Sequence, residues 1–242
     1  MADTVQRRTE ALQAAAMPSL ASLDHSSSVD APPAALSAVR KRALDLGAAI
    51  ALLAVLSPVW LLCGILIKLS SRGPVIFRQE RVGVGGKPFT VYKFRTMHVD
   101  TSDTVHRDFV TRYILGSLSL DAGGAYKLPR DQRVTAIGRV LRKLSLDEVP
   151  QLINVLRGEM SLVGPRPPLQ YEVDNYEAWQ LARLSIRPGI TGLWQISGRN
   201  RLSFAEMCEL DIEYIRTWSL RRDLSIMVRT PWVMLVDAGG AE

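Results

Sequence analysis

The sequence predicts an α+β protein, mostly helical, in which a membrane-embedded helix is joined to a small domain carrying a β-hairpin. Three observations predict it. No charged residue interrupts the run from Leu46 to Ile67. Two strand-like runs flank the turn Val82-Gly83-Val84-Gly85-Gly86. Further on, apolar residues recur at steps of three and four, the period of an amphipathic helix. With 242 residues, 47% of them hydrophobic and 22% charged, the chain has room for one sizeable domain.

Residues 1–38 are rich in Ala, Ser, Pro and Asp, and poor in large apolar groups. Such a segment cannot bury enough surface to offset its ordering entropy, so a disordered tail is expected. Its charged start is not followed by an apolar core and a cleavage site, which excludes the pattern of a signal peptide.

The apolar run Leu46–Ile67 has 22 residues. As a helix it measures about 33 Å, enough for a hydrocarbon core of about 30 Å. Two features complicate a simple crossing. Ser57-Pro58 lies in its middle, where proline removes a helical hydrogen bond. Basic residues flank both ends, Arg40, Lys41 and Arg42 before it and Lys68, Arg72, Arg78 and Arg81 after it. Positive charge prefers the cytoplasmic side. If both ends stay there, the segment dips in and returns as two arms of about 16 Å. The residues alone leave a straight span and a re-entrant hairpin equally open.

Val75–Arg81 and Pro88–Arg95 read as the strands of a hairpin. No Walker lysine follows the glycine loop, so it reads as a turn. Residues 99–130 are weakly patterned, an insertion with a short helix near Arg107–Leu115. From Val134 to Arg157 the chain reads as helical, with a second helix at about Val149–Leu156. Gly164-Pro165-Arg166-Pro167-Pro168 is a stiff turn, and Leu169–Leu184 is helical again. Arg187–Arg199 is a glycine-punctuated loop or short strand. Ser203 and Glu206 form a capping box that opens a helix to about Trp218. Arg221–Val236 mixes Trp232 and arginines with aliphatic residues, which suits an interfacial helix or an ordinary core helix equally.

The net charge of +6 and pI of about 9.6 suit an anionic partner, whether nucleic acid, acidic membrane or phosphate-rich substrate. The two cysteines, Cys63 and Cys208, lie in separate helical contexts with no metal-ligand spacing, and no disulfide is expected. His25, His98 and His106 are scattered.

Chemistry concentrates at Arg139-Val140-Leu141-Arg142-Lys143-Leu144-Ser145-Leu146-Asp147-Glu148-Val149-Pro150. One reading is structural: Ser145 and Glu148 fit a capping box, and acids favour a first helical turn. The other is catalytic. A carboxylate can attack phosphorus and form an acyl phosphate. The anionic substrate then needs cations, and Mg²⁺ often bridges carboxylates and substrate phosphates. Asp147 and Glu148 beside Arg139 and Arg142 meet those needs. Arg166, between two prolines, presents its fork from a stiff frame. Lys93 and Arg95 would leave one strand on the same face, either toward solvent or toward a phosphate.

Three blocks carry a resemblance: PVIFRQERVGVGGKPFTVYKFRTM at 74–97, RVTAIGRVLRKLSLDEVPQLINVLRGEMSLVGPRP at 133–167 and RPGITGLWQISGR at 187–199. Together they resemble the bacterial sugar transferase family, the monotopic phosphoglycosyl transferases, over about Lys41 to Thr230. The resemblance implies that Asp147 and Glu148 are the catalytic dyad, that Asp147 is the nucleophile, and that the dyad engages Mg²⁺. It implies that Arg142 and Arg166 belong to the phosphate site, which Lys93, Arg95 and Arg139 would extend. The apolar segment becomes a re-entrant membrane helix hairpin broken at Ser57-Pro58. The expected organisation is a tail (1–38), the re-entrant helix (39–72), and a cytosolic, membrane-associated catalytic domain (73–242) with a β-hairpin and interfacial amphipathic helices.

The implied reaction moves a sugar-1-phosphate from a UDP-sugar to polyprenyl (undecaprenyl) phosphate, releases UMP and initiates exopolysaccharide or glycoconjugate assembly. The implied location is the bacterial inner membrane, with the active site on its cytoplasmic face. The expected partners are the UDP-sugar, the lipid phosphate and the membrane, with a homodimer left open and no nucleic acid. Two rivals stand beside this. A glycosyltransferase moving only the sugar would release UDP. A basic membrane-anchored scaffold would track nucleic acid, but the carboxylate pair among its cations would repel phosphates.

Overall fold

The computed structural model describes residues 35–98, 104–116, 133–198 and 201–237. Residues 1–34 of the expected tail, and most of the 99–130 insertion, lie outside the described residues.

Helix α1, Ala35–Ser70, is 36 residues long, about 54 Å. It begins inside the segment 1–38 that composition reads as tail. Among the described residues it is the helix long and apolar enough to cross a membrane. Helical structure runs through Pro58, the position at which a break is expected. Proline has no N–H to give the carbonyl four residues back, and the Ser57 hydroxyl donates to that carbonyl, Ala54 O, at 2.8 Å.

Asp45, Ala49, Cys63 and Ile67 form a buried stripe along α1, while Ile50, Val55, Leu61 and Leu62 are exposed. Ala48, Ala49 and Leu53 pack with Val155, Met160 and Leu162. Val59, Trp60, Cys63 and Ile67 pack with Phe94, Leu141, Ile137 and Leu146. Both halves of the helix therefore rest on the rest of the protein.

Strands β1 (Ile76–Val82) and β2 (Pro88–Phe94) form the expected antiparallel hairpin, with Phe77 opposite Lys93 and Arg81 opposite Phe89. Helix α2, Thr104–Ile114, lies near the position expected in the insertion. Helix α3, Ala136–Lys143, is capped by Thr135, whose hydroxyl accepts from Gly138 N at 2.9 Å.

The second expected helix takes a different form. Leu146–Gln151 is a 3₁₀ turn, and only Leu152–Arg157, α4, is α-helical. The reason is Ser145, which adopts φ 54°, ψ 21° and makes no side-chain cap. It ends α3 in the left-handed region, so the capping box expected from Ser145 to Glu148 does not form.

Two short parallel strands, β3 (Ser161–Val163) and β4 (Gly189–Thr191), make a second sheet. Of these only the second falls where a short strand was expected; three residues carry too little periodicity to read. The expected helix over Leu169–Leu184 splits into α5 (Gln170–Val173) and a 3₁₀ stretch (Ala178–Ser185). Asn175 donates to Tyr171 O at 2.7 Å and closes the first piece, while Gln180 returns to the Glu177 amide at 2.8 Å and opens the second. A short helix, α6 (Leu193–Ser197), follows β4.

Helix α7, Phe204–Arg216, opens with the expected capping box: Ser203 Oγ accepts from Glu206 N, and Glu206 Oε2 accepts from Ser203 N at 2.7 Å. Helix α8 spans Leu220–Asp237. Its buried residues, Asp223 and Ile226, face inward, while Leu224, Val228 and Trp232 are exposed at steps of four.

A buried polar knot fastens α1 to this body. Lys41 Nζ contacts Asp223 Oδ2 at 2.9 Å and Asp45 Oδ1 at 3.2 Å, and donates to Val163 O at 3.3 Å. Asp45 also accepts from Ser161 Oγ and Leu162 N, both at 3.1 Å. Tyr214 donates to Asp223 at 2.7 Å, and its hydroxyl is pushed far above the usual phenol range by burial and by the charges of Asp223 and Asp45. It therefore stays a donor.

Candidate active site

The site is assembled on strand β2 and the 3₁₀ turn that packs across it. In β2 the Tyr92 amide and the Thr90 carbonyl point away from β1. Asn154, wholly buried, supplies both partners: its Oδ1 accepts from Tyr92 N at 3.1 Å and its Nδ2 donates to Thr90 O at 2.6 Å. One side-chain amide thus pairs an otherwise open strand edge. On the other side, α3 closes onto the strand end through Gly138, where a Cβ would meet Thr96 O at 2.1 Å. Only glycine permits that approach.

These two contacts bring Asp147 and Glu148 beside β2. Lys93 Nζ meets Glu148 Oε1 at 2.7 Å, with both side chains about four-fifths buried (19% and 22% exposed). Asp147 precedes it on the turn, half buried. The turn begins at Ser145, the non-glycine residue with positive φ among those described. That conformation costs about 1–2 kcal/mol for an L residue. It is retained where the surrounding packing over-determines it, as at functional sites.

Glu148 and Lys93 line an open cleft whose empty volume, open solvent included, is about 280 Å³. Arg166 and Pro167 enter from the proline-rich turn, Gly189 and Ile190 from β4, Gln195 from α6, Gln151 from the 3₁₀ turn, and Arg81 from β1. The turn and β4 approach closely: Gly164 N donates to Thr191 O at 2.9 Å, and a Cβ on Gly189 would lie 2.1 Å from Gly164 N.

The residues expected at the site divide accordingly. Lys93, Glu148 and Arg166 meet at the cleft. Arg142, five residues before Asp147, donates from Nε to Thr96 Oγ1 at 2.9 Å. Arg139 is exposed on α3. Arg95 goes elsewhere: its buried guanidinium donates to Ser71 O at 2.8 Å, Ser71 Oγ at 2.9 Å and Pro74 O. It holds the end of α1, so of the expected strand pair only Lys93 faces a carboxylate.

Sequence reasoning did not assign Arg81, Gln151 and Gln195 to the site. Arg81 carried a signal, the two-residue spacing from Gln79 that puts both on one strand face. Gln151 and Gln195 carried none, because neutral amides stand out only once the cleft is closed around them.

No group of three or more His, Cys, Asp or Glu able to hold a metal occurs among the described residues. The donor set is a pair of adjacent carboxylates beside cations. That suits a hard cation such as Mg²⁺, which commonly takes one or two protein carboxylates and completes its shell with phosphate oxygens and water.

Comparison with known proteins shows the family of the chain. The family model for bacterial sugar transferases matches residues 36–237. The exopolysaccharide production protein ExoY of Rhizobium meliloti is 45% identical over 190 residues, covering 78% of this chain and 83% of that protein. The UDP-glucose:undecaprenyl-phosphate glucose-1-phosphate transferase of Caulobacter vibrioides is 44% identical over 208 residues, 82% of this chain and 71% of that one. The undecaprenyl-phosphate galactose phosphotransferase of Salmonella typhimurium is 39% identical over 195 residues, 81% of this chain but only 40% of that longer protein. With a match over nearly all its described length, the chain belongs to the bacterial sugar transferase family.

Proposed function

We propose that the protein transfers a sugar-1-phosphate from a UDP-sugar to polyprenyl phosphate and releases UMP, so starting assembly of an exopolysaccharide or glycoconjugate. The observation that carries this reading is the cleft, where Glu148, next to Asp147 on a strained turn, meets Lys93 and is joined by Arg166 from another element. The name of the Caulobacter relative points to the same donor and acceptor classes, and that of the Salmonella relative to the same acceptor.

In this reading Asp147 is the nucleophile. A carboxylate oxygen attacks the phosphorus that bears the sugar. The bond from that phosphorus to the bridging oxygen breaks, UMP leaves, and a sugar-phosphoryl-aspartate remains. An oxygen of polyprenyl phosphate then attacks the same phosphorus, the acyl phosphate bond breaks, and Asp147 is regenerated. Lys93 and Arg166 neutralise the diphosphate and lower the repulsion between two anions. Asp147 and Glu148 would hold Mg²⁺, which when bound supplies Lewis-acid charge at the phosphates.

The membrane anchor belongs to the same reading. Both halves of α1 pack on the rest of the protein, and basic residues flank both ends, which supports a segment that enters the cytoplasmic leaflet and returns. Leu224, Val228 and Trp232 on the outer face of α8, beside Arg221 and Arg229, fit an interfacial helix on the same surface. The lipid phosphate and the cytosolic nucleotide sugar then meet at one boundary.

The test is the nucleotide released when purified protein meets UDP-sugars, Mg²⁺ and polyprenyl phosphate. UMP is expected. UDP would mean that only the sugar moves and that the phosphosugar mechanism is wrong.

A further inference from the structure

The stretch Pro165-Arg166-Pro167-Pro168 contains three prolines, none of which has a backbone N–H. It is therefore fastened to the body largely through its carbonyls, and three such bonds are present. Gly189 N donates to Pro165 O at 2.8 Å, Val82 N donates to Pro168 O at 2.9 Å, and Arg81 Nη1 donates to Pro167 O at 3.0 Å. The first two are backbone bonds. The third comes from a cationic side chain 94% buried (6% exposed), whose fork is fixed by Gln79: Nε at 3.0 Å and Nη2 at 2.7 Å both donate to Gln79 Oε1. That buried guanidinium, held in a fixed orientation, lines the same cleft as Lys93 and Arg166.

We propose that Arg81 is a positioning residue of the donor-phosphate site: it holds the Pro167 carbonyl, and through that turn sets Arg166 against the diphosphate of the nucleotide sugar. The inference rests on the function proposed above. Gln79 is the support that keeps Arg81 aimed at the turn.

The test is UDP binding with Mg²⁺ to the full chain in detergent, measured by calorimetry for the wild type, Arg81→Gln, Arg166→Gln and the double variant. Each single substitution is expected to weaken binding about tenfold, the scale of one hydrogen bond to a charged group. Because Arg81 acts through Arg166, the double variant should bind no more weakly than Arg166→Gln alone. Arg81→Lys, with its charge and one donor retained, should recover part of the affinity. Should Arg81→Gln fail to fold, Gln79→Leu leaves the arginine in place, frees its fork, and should also weaken UDP.

An unchanged Kd in these variants, even with a lowered melting temperature, would overturn the proposal, leaving Arg81 a structural support. So would full multiplication of the two single effects, which would make Arg81 an independent charge. A wild type that does not bind UDP would overturn both this inference and the proposed function. Coupled binding effects in a protein that never releases UMP would sink the reaction and leave the role of Arg81 standing.

Discussion

Asp147 and Asp211 show how differently two aspartates are used in one small protein. Asp147 stands half buried on the 3₁₀ turn, next to Glu148, which lines the cleft. In the proposed reaction, Asp147→Asn keeps the shape of the side chain but removes the nucleophile. UMP release should fall to background while the melting temperature stays close to that of the wild type. Loss of folding with activity retained per folded molecule would make the aspartate a structural residue. Asp211 is wholly buried on α7, paired at Oδ2 with Arg183 (2.8 Å from Nε and 2.7 Å from Nη2), while its Oδ1 has no hydrogen-bond partner. Burial pushes its carboxyl up to about 6, although Arg183 pulls the other way. The guanidinium stays charged throughout: burial opposes that charge, but Tyr176 and Asp211 outweigh it. A raised acid holds its proton more tightly in the folded chain than in the unfolded one. Its contribution to stability is therefore full below about pH 4 and is lost as pH rises through about 6. Melting temperatures measured from pH 4 to 7.5 should fall more steeply for the wild type than for Asp211→Asn. Parallel curves would mean that Arg183 keeps the carboxylate ionised over the whole range.

At the scale of elements, α1 is more than an apolar anchor. Lys41 sits between Asp45 of its own helix and Asp223 of α8, so one cation neutralises two buried acids and ties the first and last described helices together. Lys41→Met would fill similar space and leave both carboxylates without that cation. Removing one partner from a buried ion pair typically costs about 3–5 kcal/mol. The variant should melt well below the wild type in detergent, and a change under 1 kcal/mol would show that water reaches the acids instead. The 3₁₀ turn after α3 teaches a related lesson. Ser145, Asp147, Glu148 and Pro150 satisfy every compositional rule for a helix start. Yet Ser145 takes the left-handed conformation, because Asn154 and Gly138 hold the surrounding elements close to β2 and Glu148 is drawn to Lys93. Tertiary contacts outweigh a local preference of about 1 kcal/mol.

For the whole molecule, the exposed apolar surface is concentrated on two elements. Val55 and Leu61 on α1 are 74% and 69% exposed, and Val228 and Trp232 on α8 are 76% and 71% exposed. Large apolar groups left this open in adjacent helices mark a surface meant for lipid or a partner. If α8 lies in the interface, the double substitution Val228→Asp, Trp232→Asp should reduce flotation with anionic vesicles while α1 still anchors some of the protein. It should also lower turnover with polyprenyl phosphate in a bilayer more than with a short, soluble acceptor analogue. Equal flotation and equal turnover with both acceptors would remove α8 from the membrane contact.

The local features were determined by the sequence alone: the apolar helix, the hairpin around Val82–Gly86, the capping box at Ser203, and a carboxylate pair set among cations. Each is legible because its cause lies within a few residues, in a run of uncharged side chains, a period of two, or a cap spaced three from its partner. Which cations face those carboxylates was decided only by the tertiary structure. Lys93 and Arg95 are equivalent by strand period, but the end of α1 claims Arg95 through Ser71 and Pro74, and the 3₁₀ turn claims Lys93 through Glu148. Arg81 reads as one more charge flanking the membrane helix until the proline-rich turn, 86 positions away in sequence, brings the Pro167 carbonyl to it. Hydrogen bonds between distant segments leave no periodic trace, because either partner satisfies its own local rules without the other.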